Sequence, residues 1–185
     1  SLWKKLEGHK LPVEKRKILF VGEEISFASR YRVEHFREQL ILRGYASRFI
    51  QMDQAEKESL EEYEAIVLYR CSKLMEVEML ADRAKAAGIR VYYDIDDLVF
   101  DYEKIAGLHF LKGKEYSDFR TTAERIHGCM EFCDGYITST ETLAGVIREE
   151  FPGKPIVINR NCMSMEMEVL SHEASEQTDK NEEKI

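Results

Sequence analysis

Cysteine is scarce and poorly spaced for a framework. Cys71, Cys129, Cys133 and Cys162 include no C-x-x-C pair, and their density is too low for a disulfide scaffold. Cys129 and Cys133 stand four apart, on one face if that stretch is helical. Without a nearby His or second Cys pair they read as small core residues rather than zinc ligands. An excess of positive charge is also missing: 27 basic against 35 acidic residues give 27 − 35 = −8. That argues against non-specific nucleic-acid binding, which needs a basic face to displace counterions. No apolar run approaches the ~18–20 residues of a membrane-spanning helix. The opening Ser-Leu-Trp-Lys-Lys shows no apolar h-region. Internal repeats and low-complexity blocks are absent. So are the two common phosphate cradles: Gly22-Glu23-Glu24 stands where a G-x-G-x-x-G would be expected, and no Walker A lysine motif occurs.

The 185 residues suffice for one domain with a core. Apolar residues make up 44% and charged residues 34%, a mix too apolar for a disordered chain. The recurring unit is an apolar strand followed by an amphipathic helix. Strands are predicted at 17–21 (KILFV), 45–51, 64–69 (EAIVLY), 90–93 (RVYY), 136–138 and 155–158 (PIVI). Helices are predicted over 28–43 with Gly44 as its stop, weakly over 54–63 behind Asp53, and over 72–87 with Ser72 as its cap. Two more follow over 116–133 and from a Thr140 cap to Phe151. The stretch 100–113 reads as a loop with some helix. This alternation implies right-handed crossovers: an α/β, Rossmann-like, doubly wound parallel sheet of about six strands in three layers. Residues 1–15 form an N-terminal extension and 16–165 the domain. Residues 166–185 form a polar linker; their last fifteen residues hold five acids and two bases.

In such a fold, chemistry collects beyond the carboxyl ends of the strands. Asp94, Asp96 and Asp97 follow the fourth strand, and three carboxylates so close repel one another unless a cation, a donor or water intervenes. They are candidate catalytic residues. The plainer alternative is that one caps the next turn and Asp94 pairs with an arginine. Arg30 and Arg32 open the first helix, where the macrodipole disfavours cations, so each is a candidate anion contact. His35, Arg37, Arg43 and Arg48 extend a basic bias that could meet anionic lipid headgroups or simply face water. Arg70 closes the third strand, and Thr138, Ser139 and Thr140 close the fifth with hydroxyls able to bind oxygens or cap a helix. Asn159-Arg160-Asn161 follows the sixth.

Taken in order, KILFVGEE, SRYRV, IVLYR, GIRVYYDIDDLVFD, DGYITSTETLAGVI and PIVINRN resemble the N-terminal domain of a GT-B fold glycosyltransferase. The likeness is to the large family 4-like group, of the bacterial polysaccharide biosynthesis type, and covers residues 16–165. It implies the acceptor-binding half of a two-domain enzyme that moves a sugar from a nucleotide-sugar to a glycan or lipid-linked acceptor, without a cofactor or an obligatory metal. Apart from the resemblance, the unpaired cysteines lead to the expectation of a cytoplasmic protein, and the basic bias of the first helix adds that of peripheral contact at the inner face of the cell membrane. Arg30, Arg32, Arg70, Asp94, Asp96, Asp97, Thr138, Ser139 and Thr140 match cleft-facing positions of that architecture, with Asn159 to Asn161 near the hinge. The nucleotide-sugar would bind chiefly to a donor-binding domain expected beyond Ile185, so this fragment is not expected to turn over substrate. Two glutamates after Gly22 depart from the glycines usual there and put direct phosphate contact in doubt. Two alternatives are a stand-alone carbohydrate-binding or interaction module, and a haloacid-dehalogenase-like phosphatase using Asp94 and Asp96, although Leu98 replaces the Thr of that motif.

Overall fold

Six short apolar runs form six parallel strands: β1 (Lys17–Gly22), β2 (Ala46–Gln51), β3 (Tyr63–Tyr69), β4 (Arg90–Asp94), β5 (Gly135–Thr138) and β6 (Ile156–Ile158). The computed structural model describes residues 17–106 and 114–182, with the side chains of 114–116 and 176–182 outside that description. The expected N-terminal extension and part of the ambiguous 100–113 stretch therefore lie outside the described residues. The sheet order is β2-β1-β3-β4-β5-β6, all parallel. It is the predicted doubly wound α/β architecture.

Alternation along each strand sends successive side chains to opposite faces. On one face Leu19, Val21, Ile66, Leu68, Val91, Tyr93 and Tyr136 pack with Val77 and Leu80 of helix α2 (Met75–Ala86). The same cluster takes in Ile126 and Met130 of α4 (Lys114–Glu131) and Leu143 and Ile147 of α5 (Glu141–Glu150). On the other face Phe20, Val67, Tyr69 and Ile137 pack with Val33 and Leu40 of the first helix. Helix α1 is composite, running through Phe27–Ser29, a π-helical stretch Arg30–Glu34, and His35–Leu42. A short helix α3 (Tyr102–Ala106) precedes α4, and α6 spans Met165–Glu182.

Local chemistry explains most of the ends. Ser26 caps α1 in a reciprocal capping box with Ser29. Thr140 Oγ1 accepts the Leu143 N–H at 3.2 Å and starts α5. Gly44 and Gly88 take the left-handed conformation that ends α1 and α2. Gly135 is required by close approach, because a Cβ there would meet Pro155 Cγ and its carbonyl oxygen at 2.9 Å.

Two expectations are corrected. The weak helix over 54–63 is a 3-10 turn, Met52–Lys57, that starts after Gln51 without a side-chain cap. Ser72 does not cap α2, whose N-cap position is Leu74. Instead the Ser72 N–H donates to Glu23 Oε1. The polar stretch expected as a linker is helical from Met165 to Glu182, its start tied to α1 where the Met165 N–H donates to Glu38 Oε1 at 3.0 Å.

Candidate functional site

The chain leaves β1 for β2 on one side and returns to β3 on the other, so neighbouring connections part between β1 and β3. Such a switch point opens a crevice beyond the carboxyl ends of the strands, where ligands of open α/β sheets bind. One register row crosses the sheet there: Gln51, Gly22, Tyr69, Asp94, Ile137 and Val157. Gly22 leaves room for its neighbours, since a Cβ would stand 3.1 Å from the Phe49 ring and 3.6 Å from Tyr69.

The predicted residues sort into two clusters and three outliers. In the first cluster Arg32 holds Asp94 through two hydrogen bonds, Nε to Oδ1 at 2.8 Å and Nη2 to Oδ2 at 2.9 Å. Both side chains are buried, at 0% and 1% exposure. Arg32 Nη1 also donates to the Asn159 carbonyl at 2.5 Å and to Asn161 Oδ1 at 3.0 Å. The π-helical stretch carries Arg32; its widened turn closes where the His35 N–H donates to the Arg30 carbonyl. Burial pushes the Asp94 carboxyl up from its ordinary 3.8 to about 6, against the opposing pull of Arg32. Asp94 and Arg32 thus work on each other and on the segment after β6, rather than on the open cleft.

In the second cluster Arg70 Nε and Nη2 both donate to Asp96 Oδ1, at 2.9 and 2.6 Å, and Nη2 also donates to Asp97 Oδ2. Ser139 Oγ donates to the Asp96 carbonyl at 3.4 Å. Arg70 has φ 48°, a left-handed backbone that is unusual for an arginine and a mark of a constrained strand end. Asp97 is the most open of the three aspartates, with its side chain 59% exposed. Opposite charges answer the repulsion expected among the aspartates: each of the three has an arginine.

The outliers are Arg30, Thr138 and Thr140. Arg30 is exposed and lies 6.0 Å from the Phe27 ring centre. Thr138 is buried, and its hydroxyl has no partner among the described residues. Thr140 serves as the α5 cap. Of the basic residues of α1 and β2, His35 is buried and Arg37 is bonded to Glu34 and Ser47, whereas Arg43 is exposed and Arg48, its side chain 55% exposed, pairs with Glu58.

A pocket of about 280 Å³ lies at the switch point, lined by Glu23, Glu24, Ser26, Tyr69, Arg70 and Ser72 on the strand-end side. Val99, Phe119, Thr122 and Ile126 form its other wall. In the sequence Glu23 and Glu24 stand only as a bar to phosphate, and helical spacing puts Phe119 on one stripe with Ala123, Ile126 and Met130. Ala123, Ile126 and Met130 of that stripe are buried, whereas Phe119, half-buried, lines the pocket. The available signal was positional, because the glutamates directly follow the strand that borders the switch point. The Tyr69 hydroxyl, in a side chain 4% exposed, has no partner among the described residues, and burial raises its pKa to about 12.

Cys71, Cys129 and Cys133 are buried in the core, as expected, and Cys162 is exposed. Among the described residues no group of three His, Cys, Asp or Glu side chains is placed to hold a metal ion. No helix among them is long and apolar enough to cross a membrane. No protein-family model matches the chain, and no curated protein matches it either.

Proposed function

We propose that this domain is the acceptor-binding half of a glycosyltransferase that moves a sugar from a nucleotide-sugar to a glycan or lipid-linked acceptor, in the cytoplasm. The observation that carries the reading is the switch-point pocket. It sets carboxylates and hydroxyls opposite an apolar wall of Val99, Phe119 and Ile126. Sugars offer the same pairing, with hydroxyls that donate to carboxylates and C–H faces that lie on apolar side chains. The order of rim motifs along the chain supports the same assignment.

Glycosyl transfer builds positive charge on the sugar and negative charge on the departing diphosphate. A rim carboxylate orients the acceptor hydroxyl and receives its proton as that oxygen bonds to the electron-poor sugar carbon and the diphosphate leaves. Asp96 and Asp97 border the pocket through Arg70 and suit that role, whereas Asp94, enclosed by Arg32, suits a positioning role. The enclosure of Asp94 also counts against the phosphatase alternative, whose nucleophile must meet its substrate.

Saturation-transfer NMR of this chain with mono- and oligosaccharides tests the reading. Saturable binding that Phe119→Ala weakens at least several-fold is the expected result. No sugar binding, together with magnesium-dependent hydrolysis of a generic phosphate ester, overturns it. A second Rossmann-like half encoded after Ile185 separates the glycosyltransferase from a stand-alone carbohydrate-binding module.

A further inference from the structure

We propose that the switch-point pocket selects an acceptor unit bearing a protonated amine, a hexosamine with its amino group free, over a uronate or a sugar phosphate; this rests on the pocket being the acceptor site. Charge is the first argument. Arg70 is the one cation among the described lining residues, and Asp96 and Asp97 hold it through Nε and Nη2, so its charge is offset within the protein. With Glu23 and Glu24 the group carries one positive and four negative charges, 1 − 4 = −3. A cleft lined by one sign of charge concentrates counterions of the other sign and repels its own.

Unfilled capacity is the second. Glu23 uses Oε1 to accept the Ser72 N–H, and its Oε2 has no partner among the described residues. Glu24, on the same loop, has none among them for either oxygen. Tyr69, whose buried hydroxyl has no partner among the described residues, lines the same pocket. Size is the third: about 280 Å³ with one apolar wall suits a single sugar ring rather than a long chain. An ammonium on that ring meets the open glutamate oxygens while its C–H face lies against Phe119.

The test measures binding of glucosamine, N-acetylglucosamine, glucuronic acid and glucose 6-phosphate to this chain by ligand-observed NMR, at low and at high salt. Glucosamine is expected to bind about five- to ten-fold more tightly than N-acetylglucosamine, the scale of one or two exposed charge pairs. That advantage should shrink at high salt. The two anionic sugars are expected not to bind. In Glu23→Gln/Glu24→Gln the advantage should vanish, with glucosamine and N-acetylglucosamine binding within about two-fold of each other. The side-chain amide oxygen introduced at position 23 can still accept the Ser72 N–H, so the loop keeps its shape. Tighter binding of glucuronic acid or glucose 6-phosphate, or a glucosamine preference unchanged in the double variant, overturns the selectivity and leaves the acceptor pocket standing. Failure of all four sugars to bind overturns the acceptor pocket as well.

Discussion

The Arg32 guanidinium grips the Asp94 carboxylate through two parallel hydrogen bonds, and neither side chain reaches solvent. Sixty-two residues separate the two partners in sequence, and the pair ties α1 to the end of β4. Through Nη1 the same guanidinium reaches Asn159 and Asn161, so the segment after β6 is held to the rim as well. A buried pair of this kind is costly to break from one side only, because the remaining charge keeps its desolvation penalty without its partner.

Arg32→Met is therefore expected to lower stability by about 3–5 kcal/mol at pH 7. The loss should shrink toward pH 5, where the stranded Asp94 carboxyl takes up a proton and stops being a buried charge. Urea denaturation at the two pH values measures both. An equal loss at each would mean that Arg32 acts through packing and the Asn159 contact alone.

Asp94 itself should leave a mark on the pH dependence of folding. Its carboxyl titrates near 6 when folded against an ordinary 3.8, so between those values the native state holds a proton that the unfolded chain has released. Stability contributed by this group is full below about pH 4 and falls as pH rises, with the loss complete above pH 6. The fall amounts to roughly 3 kcal/mol at most. Wild type and Asp94→Asn compared across pH 4–7 isolate it. A difference that does not move with pH would show that Arg32 holds the carboxyl ionised throughout.

Gly135→Ala should cost about 1–3 kcal/mol. The new methyl would meet Pro155 Cγ and its carbonyl oxygen at 2.9 Å and Tyr92 at 3.2 Å, and two of those three contacts are with Pro155, at the entry to β6. A thermal shift of only a degree would mean that β6, at the sheet edge, moves away at little cost.

In the two-domain enzyme of the proposed function, Asp96→Asn is expected to lower kcat by about 10²-fold or more, the range for a group that moves a proton in the transition state. Circular dichroism should be unchanged, since Arg70 keeps Asp97. Wild-type turnover in the variant would remove Asp96 from the chemistry.

A thiol reagent such as Ellman's should modify one cysteine per native chain promptly and all four after unfolding. Cys162 is exposed, while Cys71, Cys129 and Cys133 are buried, and burial pushes the Cys71 thiol well up, away from the reactive thiolate. Prompt reaction of a second thiol would point to local opening around α4.

Much of the architecture was legible in the chain because its signals are local. Continuous apolar runs such as KILFV mark strands buried on both faces, and Thr140, Gly44 and Gly88 punctuate the helices around them. Where local signals were weak the expectation slipped: Met52–Lys57 is a 3-10 turn, and Ser72 does not cap α2, because that helix starts only at Met75 with Leu74 at its N-cap. The terminal polar stretch lacks an apolar stripe that would announce a helix, yet α6 forms with its first turn anchored to Glu38.

What the chain by itself determined is the order of strands and helices, the parallel sheet and the rim on which Asp94, Asp96, Asp97 and Arg70 stand, since each follows from short-range pattern and the handedness of crossovers. Which of those groups face the cleft was decided only by tertiary structure. Packing α1 across β4 buries Arg32 on Asp94. Placing β1 beside β3 brings Glu23 and Glu24 to Tyr69, Arg70 and Ser72, and the outer end of α4 closes the pocket with Phe119. These are contacts between residues tens of positions apart, and no local periodicity encodes which distant charge a side chain will meet.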